Sequence, residues 1–397
     1  MINENIKTNL DKYLSLYSDG LNIPAISVAI LNRNGIQYEN HIGYQRKSDN
    51  IKLNNKSIFK IASMTKLITT ICIMNLIEEN KLKINTPVKE LFPEIRDVKV
   101  IKERSNGIRY ETINNDLKIH HLLTHTAGYA YEIWDENINS LVEKGHLESM
   151  FSGNLEFLKA PLVHQPGEKW TYGISTDWLG IIIEKISGIN LESYMNKVIF
   201  EPLGMIDTSY QVDVKKSDRI VSCYKKEDGY FSEIINDYSK EKERTPIGGG
   251  GLISTLHDYS KVLTMLLNEG KLGDQIFLNR STVDEMFKNK IDNIKMRVLQ
   301  TTNGSISKNL DLYPEVSKSW GYGLMINDEE TNSGRPKGSV GWAGLFNTYF
   351  WIDKANDLAG LIFMQFLPFA DKKAVQLLYD IESVVYLNST KKISPTF

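Results

Sequence analysis

A serine placed three residues ahead of a lysine can be a nucleophile that carries its own base, because one helical turn brings the amine beneath the hydroxyl. The spacing occurs at Ser57 and Lys60, Ser63 and Lys66, Ser222 and Lys225, Ser239 and Lys242, Ser305 and Lys308, and Ser389 and Lys392, so spacing alone selects nothing. Local pattern selects Ser63. There the extended run Ile58–Ile61 gives way to an apolar helix starting near Met64. A hydroxyl at that point faces free backbone N–H groups and the positive end of the helix dipole, which favour developing negative charge. Lys66 follows one turn later, and burial by helix packing would supply its amine in the neutral, basic form. The same residues also fit an N-cap serine beside a solvated lysine.

Other nucleophile arrangements find less support. No Gly-x-Ser-x-Gly elbow is present. His120, His121 and His125 share one stretch, but no carboxylate pattern marks a Ser-His triad, and His125 is read as a structural loop residue. The glycine run Gly248–Gly251 lacks a following Gly-Lys-Ser/Thr and reads as a tight loop lining a cleft, not a phosphate cradle. Tyr172 lies in a Pro-Gly loop ahead of a helix that begins near Asp177, with Ser175 and Thr176 as its expected cap, and a loop tyrosine can point into a cleft. Cys72 and Cys223 form no metal-type or redox-type pair and are read as ordinary thiols, so no metal site is expected.

The elements that must position these residues are legible as periodicities. Ile2, Ile6, Leu10, Tyr13, Leu14 and Tyr17 mark an opening surface helix. Residues 25–31 and 36–43 read as strands of a hairpin turning at Asn34-Gly35. Short apolar runs at 321–326, 348–352 and 358–366 read as closing strands, followed by a helix over 371–386. If the terminal strands share one antiparallel sheet, the first and last helices can cover one of its faces. Between them, helices are expected over 67–79, 177–186 and 256–267, and surface loops over 106–116, 225–244 and 303–308.

At 397 residues the chain exceeds the size at which one core stops growing, which points to two lobes. Its 47 basic and 49 acidic residues nearly cancel, so no electrostatic argument favours nucleic acid or an anionic membrane as partner; a small neutral ligand fits better. No signal peptide is visible, and runs such as Leu358–Phe369 are shorter than the ~20 residues that span a bilayer. A soluble, cytoplasmic protein is expected.

The stretch Phe59-Lys60-Ile61-Ala62-Ser63-Met64-Thr65-Lys66 resembles the serine β-lactamase and penicillin-binding superfamily. Further ordered matches are His121–Gly128, Gln165–Gly173, Glu201–Met205, Gly248–Leu252 and Gly341–Gly344. Together they are most like family VIII carboxylesterases related to class C β-lactamases. The resemblance implies an α/β lobe from residues 1–80 and 245–397, an antiparallel sheet flanked by terminal helices, with a mainly helical lobe, 81–244, inserted. It makes Ser63 the acylated nucleophile and Lys66 and Tyr172 its proton-transfer partners. The backbone N–H groups of Ser63 and Leu345 become the oxyanion hole. Trp342, Ala343 and Gly344 replace the Lys-Thr-Gly strand that contacts substrate. Ile174 stands where the common motif has asparagine, which removes an amide-binding contact. The implied activity is hydrolysis of small carboxylic esters, with transesterification as a side activity and no cofactor. A class C-like β-lactamase, a D-Ala-D-Ala peptidase and a non-catalytic scaffold on the same fold are the alternatives.

Overall fold

In the computed structural model, which describes residues 2–104, 107–234 and 245–387, both ends of the chain build one eight-stranded sheet. Its strands are β1 (Ala25–Asn32), β2 (Gly35–Arg46), β3 (Ile51–Lys52), β4 (Lys318–Trp320), β5 (Met325–Asn327), β6 (Val340–Gly344), β7 (Thr348–Asp353) and β8 (Leu358–Phe363). The order is β4-β5-β6-β7-β8-β1-β2-β3, with every pairing antiparallel. Strand β1 is apolar on both faces apart from Ser27 and the terminal Asn32 and is buried along nearly its whole length, as a central strand covered on two sides must be.

Helices supply both covers. The first helix α1 (Glu4–Ser15) packs beside the last, α5 (Lys372–Leu387), where the Tyr17 hydroxyl donates to Asp380 at 2.6 Å. Trp351 of β7 donates its indole N–H to Tyr386 of α5 at 3.1 Å. The next residue along, Phe350, points to the opposite face and meets Tyr259 of α4 (Leu256–Leu267), ring centroids 5.8 Å apart. Helix α2 (Thr65–Glu78) has apolar or uncharged residues all round, apart from Lys66, through its first ten positions, and all ten are buried. It packs against α3 (Ser175–Ser187).

The structure departs from the sequence reading at several places. Residues 321–326 are not one strand: the chain reverses between β4 and β5. Gly323 has φ +73°, and a β-carbon there would lie 2.3 Å from Thr70 Oγ1, so both turn and close approach demand glycine. Part of the expected loop at 106–116 is a strand, Gly107–Thr112, paired with Lys99–Arg104. Likewise Cys223–Glu227 pairs with Tyr230–Ile234 around Asp228-Gly229, an Asp-Gly hairpin signal that the polar composition had masked, while residues 235–244 lie outside the described residues. The run at 358–366 splits: β8 ends at Phe363, and Phe366–Leu367 instead pairs in parallel with Tyr224 and Lys225. Among the described residues no helix is long and apolar enough to cross a membrane.

Candidate active site

Ser63 is held by a backbone clamp. Phe59 and Lys60 pair with Ser254 and Ile253, and Ile61 N–H donates to Leu252 at 3.0 Å. The chain then turns sharply through Ala62, whose φ of +44° is rare for a residue with a β-carbon and costs of order 1–3 kcal/mol. One 3₁₀ turn, Ala62–Met64, leads into α2. Tyr259 ties this turn down by donating to the Met64 carbonyl at 2.9 Å. The strained turn therefore sets Ser63 at the helix entrance instead of inside it.

Lys66, in the first turn of α2, is only 2% exposed. Its Nζ lies 3.1 Å from Ser63 Oγ, 3.0 Å from the Tyr131 hydroxyl and 2.6 Å from the Gly249 carbonyl oxygen. Tyr131 in turn donates to Asp177 Oδ2 at 2.8 Å, and Gly249 N–H donates to Asp177 Oδ1 at 2.8 Å. Burial pushes the Asp177 carboxyl up, opposed by the Lys66 charge and by the hydrogen bonds from Tyr131 and Gly249. Burial and the Asp177 charge raise the Tyr131 phenol well above its ordinary value, so it keeps its proton. The glycine run now has a reason: a β-carbon on Gly249 would fall 2.5 and 2.6 Å from the two Asp177 oxygens.

Tyr172 is buried beside this network. Lys66 Nζ sits 4.8 Å from its ring centroid, and its hydroxyl oxygen accepts the Trp342 indole N–H at 2.9 Å. His125 packs against Tyr172 and Trp320, ring centroids 4.8 and 5.3 Å away, with no carboxylate bonded to it among the described residues. Burial, reinforced by the Lys66 charge, holds His125 well below the ordinary histidine range and therefore neutral. The expected cap residues Ser175 and Thr176 lie inside α3; Ile174 occupies the cap position, and Ser175 Oγ is buried without a hydrogen-bond partner among the described residues.

Strand β6 closes on the turn that carries Ser63. A β-carbon on Gly344 would stand 2.3 Å from the Ile61 carbonyl oxygen, so only glycine permits this approach. Leu345 follows directly, and neither its N–H nor that of Ser63 donates to a backbone acceptor among the described residues. A cavity of about 210 Å³ opens here, lined by Ser63, Ile133, Trp134, Phe157, Leu345 and Phe346 among others, with Lys60 as the one charged side chain among the lining residues described. Trp342 and Ala343 are buried behind that wall and do not line it. A larger open hollow of about 630 Å³ beside Glu192, Asp207 and Lys216 has no serine one turn from a buried lysine among its described lining residues.

The sequence model of the β-lactamase family matches residues 10–382. The chain belongs to the β-lactamase family. Among relatives, the ML-236A carboxylate methylbutanoyltransferase mlcH of Penicillium citrinum is 28% identical over 342 residues, covering 82% of this chain and 80% of its own. The lovastatin esterase of Penicillium rubens is 28% identical over 331 residues, 77% of this chain and 78% of its own. The LovD6 mutant of simvastatin synthase from Aspergillus terreus matches with a TM-score of 0.83 at 25% identity, covering 97% of both chains. EstCE1, a hydrolase with promiscuous acyltransferase activity, matches the fold with a TM-score of 0.77 at 19% identity, covering 96% of this chain and 99% of its own. At the family level this β-lactamase-fold chain stands among serine hydrolases and acyltransferases. Sequence reading missed Tyr131 and Asp177. The available signal was Asp177 itself, a lone carboxylate in a helix turn whose neighbours from Ser175 to Leu179 are all apolar or uncharged.

Proposed function

We propose that this β-lactamase-family chain cleaves small uncharged carboxylic esters through an acyl-enzyme on Ser63, passing the acyl group to water or to an alcohol. The observation that carries the reading is Ser63 Oγ at 3.1 Å from the buried Lys66 amine, opening on an apolar cavity of about 210 Å³. Ser63 Oγ bonds to the ester carbonyl carbon while its proton passes to Lys66. The carbonyl oxygen gains negative charge and is met by the N–H groups of Ser63 and Leu345. Collapse breaks the bond to the alkoxy oxygen, which takes the Tyr172 proton and leaves as an alcohol; Lys66 restores that proton. Water or a second alcohol then adds to the acyl carbon, gives up its proton to the same groups, and releases Ser63.

A methylbutanoyltransferase and a lovastatin esterase among the relatives support acyl transfer to alcohols as a second outcome of the same intermediate. A trapped-acyl mass measurement after exposure to an ester panel tests the reading, with Ser63→Ala as background. Adding an alcohol acceptor and quantifying new ester against free acid separates transfer from hydrolysis. Acyl mass on any serine other than Ser63 would overturn the assignment.

A further inference from the structure

A single carboxylate holds both of the groups that Lys66 faces besides Ser63. Asp177 Oδ2 accepts the Tyr131 O–H and Asp177 Oδ1 accepts the Gly249 N–H, each at 2.8 Å. Lys66 Nζ meets the oxygens of those same two residues, at 3.0 and 2.6 Å. An ionised carboxylate has no proton to give, so the Tyr131 hydrogen must point at Asp177, and the phenol oxygen can meet Lys66 only as an acceptor. The Gly249 carbonyl is likewise an acceptor only. In the form that takes up the Ser63 proton, the amine has two N–H bonds and one lone pair. With both N–H bonds drawn to Tyr131 and Gly249, the lone pair is left facing Ser63 Oγ.

We propose that Asp177 is a positioning residue for the reaction: it aims the Lys66 lone pair at Ser63 by fixing Tyr131 and the Gly249 peptide in their acceptor orientations. The inference rests on Ser63 and Lys66 as nucleophile and base. Asp177 is 1% exposed and, among the described residues, hydrogen-bonds to neither Ser63 nor Lys66, so whatever it does for the chemistry passes through the two residues it holds. The packing leaves it little freedom, since a β-carbon on Gly249 would fall 2.6 Å from the Tyr131 oxygen as well as against both carboxylate oxygens. A carboxylate buried merely to tie α3 to the glycine loop would not need to be shared with the groups that hold the base.

Asp177→Asn tests this with almost no change of shape. The amide has one acceptor oxygen and one donor NH₂ group, so in either orientation one arm fails. If the NH₂ faces Gly249, donor meets donor. If it faces Tyr131, the phenol must turn its hydrogen toward Lys66 and compete for the lone pair. Asp177→Asn is expected to lower kcat by at least about tenfold with KM held within about twofold, and to slow phosphonate labelling of Ser63 by the same factor. Tyr131→Phe is expected to lower kcat similarly while unfolding near the wild-type temperature. In the double variant the amide oxygen is free to satisfy Gly249, so its kcat should match that of Tyr131→Phe within about twofold instead of multiplying the two losses. Wild-type kcat in either single variant, a loss confined to KM, or multiplied losses in the double variant would overturn the proposal. If Asp177→Asn does not fold, Tyr131→Phe decides alone, because an unaltered kcat there shows that the acceptor is irrelevant. Failure of the functional reading is separate: it appears as ester turnover surviving Ser63→Ala, not as an active Asp177→Asn enzyme that still labels on Ser63.

Discussion

Trp342 spends its one indole N–H inside the protein, donating it to the Tyr172 hydroxyl oxygen at 2.9 Å. The bond does two things at once. It leaves the Tyr172 proton as the group's only donor, directed away from Trp342, and it stabilises negative charge on the phenol oxygen once that proton departs. Tyr172→Phe should lower kcat by at least about 100-fold with little change in KM, the signature of a proton-transfer group. Trp342→Phe keeps an aromatic ring but loses the bond together with part of the indole's volume, so a loss of about tenfold or more is expected. Steady-state kinetics on one ester compares them, and an unchanged kcat in Trp342→Phe would detach the indole from the chemistry.

Lys66 is the positive charge nearest a carboxylate that burial disfavours. Lys66→Ala should therefore lose more than its base. Along with a fall in kcat of at least about 100-fold, it should unfold about 3–5 kcal/mol more easily, because Asp177 is left buried and uncompensated. Adding Asp177→Ala should recover part of the stability but none of the rate. Denaturant titrations of the three variants decide it; equal stability of Lys66→Ala and wild type would show that Asp177 does not depend on the lysine.

The pairing of Ser63 with Lys66 was legible because it is local: an extended run, a break and an apolar helix lie within about twenty residues, and Ser63 and Lys66 meet across one turn. That strands from both ends of the chain could share one antiparallel sheet was legible because β1, β2, β7 and β8 each carry a strand pattern, but their order was not. Tyr131 and Asp177 were not. They stand 65 and 111 positions from Lys66, and nothing in their own neighbourhoods says that α3 brings the carboxylate to the glycine run. The hairpin at 223–234 was hidden for a different reason: its exposed face is polar, so composition argued for a loop while the Asp228-Gly229 turn argued for strands. Trp342 shows the same limit, since its place in the strand was readable but the direction in which its N–H is spent was not.

His121 links acid sensitivity to a particular bond. Its Nδ1 accepts the Lys118 N–H at 3.2 Å, which requires an unprotonated Nδ1. Burial, then the charges of His120 and Lys118, push its pKa down to about 4. Between the ordinary histidine value near 6.5 and about 4, the unfolded chain holds a proton on this ring that the folded chain does not. Stability present above that window is thus lost as pH falls through it. His41, His120, His125 and His164 shift in the same direction, while the raised carboxyls of Asp177, Asp380 and Glu382 oppose them. The unfolding temperature should drop between pH 7 and pH 5, and His121→Asn, which keeps an acceptor for Lys118, should flatten the drop. An identical slope in the variant would remove His121 from the account.

Glu132 latches one wall of the cavity. Its carboxylate accepts the Ser149 hydroxyl at 2.6 Å and the Met150 N–H at 3.0 Å, and Met150, Phe151, Gly153 and Asn154 line the cleft beyond. Freeing that segment should let the wall retreat from a longer acyl chain without touching Ser63. Glu132→Ala is expected to raise the hexanoate-to-acetate ratio of kcat/KM by roughly fivefold while Ser63 labels as before. A chain-length series on p-nitrophenyl esters reads the ratio, and an unchanged ratio would place the acyl group elsewhere in the cleft.

Substrate charge is the last point, and it follows from where the donors are. Carboxylate-binding members of this superfamily offer a lysine from the strand motif; here that position is Trp342, buried, with its N–H committed to Tyr172. Apolar residues such as Ile133, Trp134, Phe157, Leu345 and Phe346 make up much of the cavity wall, and Lys60 is the one charge among the described lining residues. An anionic β-lactam entering this cleft gives up hydration without a charge-assisted partner from the strand, a penalty of several kcal/mol relative to a neutral competitor. Esters of about two to six acyl carbons should fit the limited volume. Their kcat/KM should exceed that for any penicillin or cephalosporin by at least about 100-fold. The comparison belongs on one preparation at one pH, with Ser63→Ala as background and Lys60→Ala in parallel. If a β-lactam matched the esters in wild type and lost its advantage in Lys60→Ala, Lys60 would be the carboxylate contact and β-lactam hydrolysis would replace ester cleavage as the reading of this site.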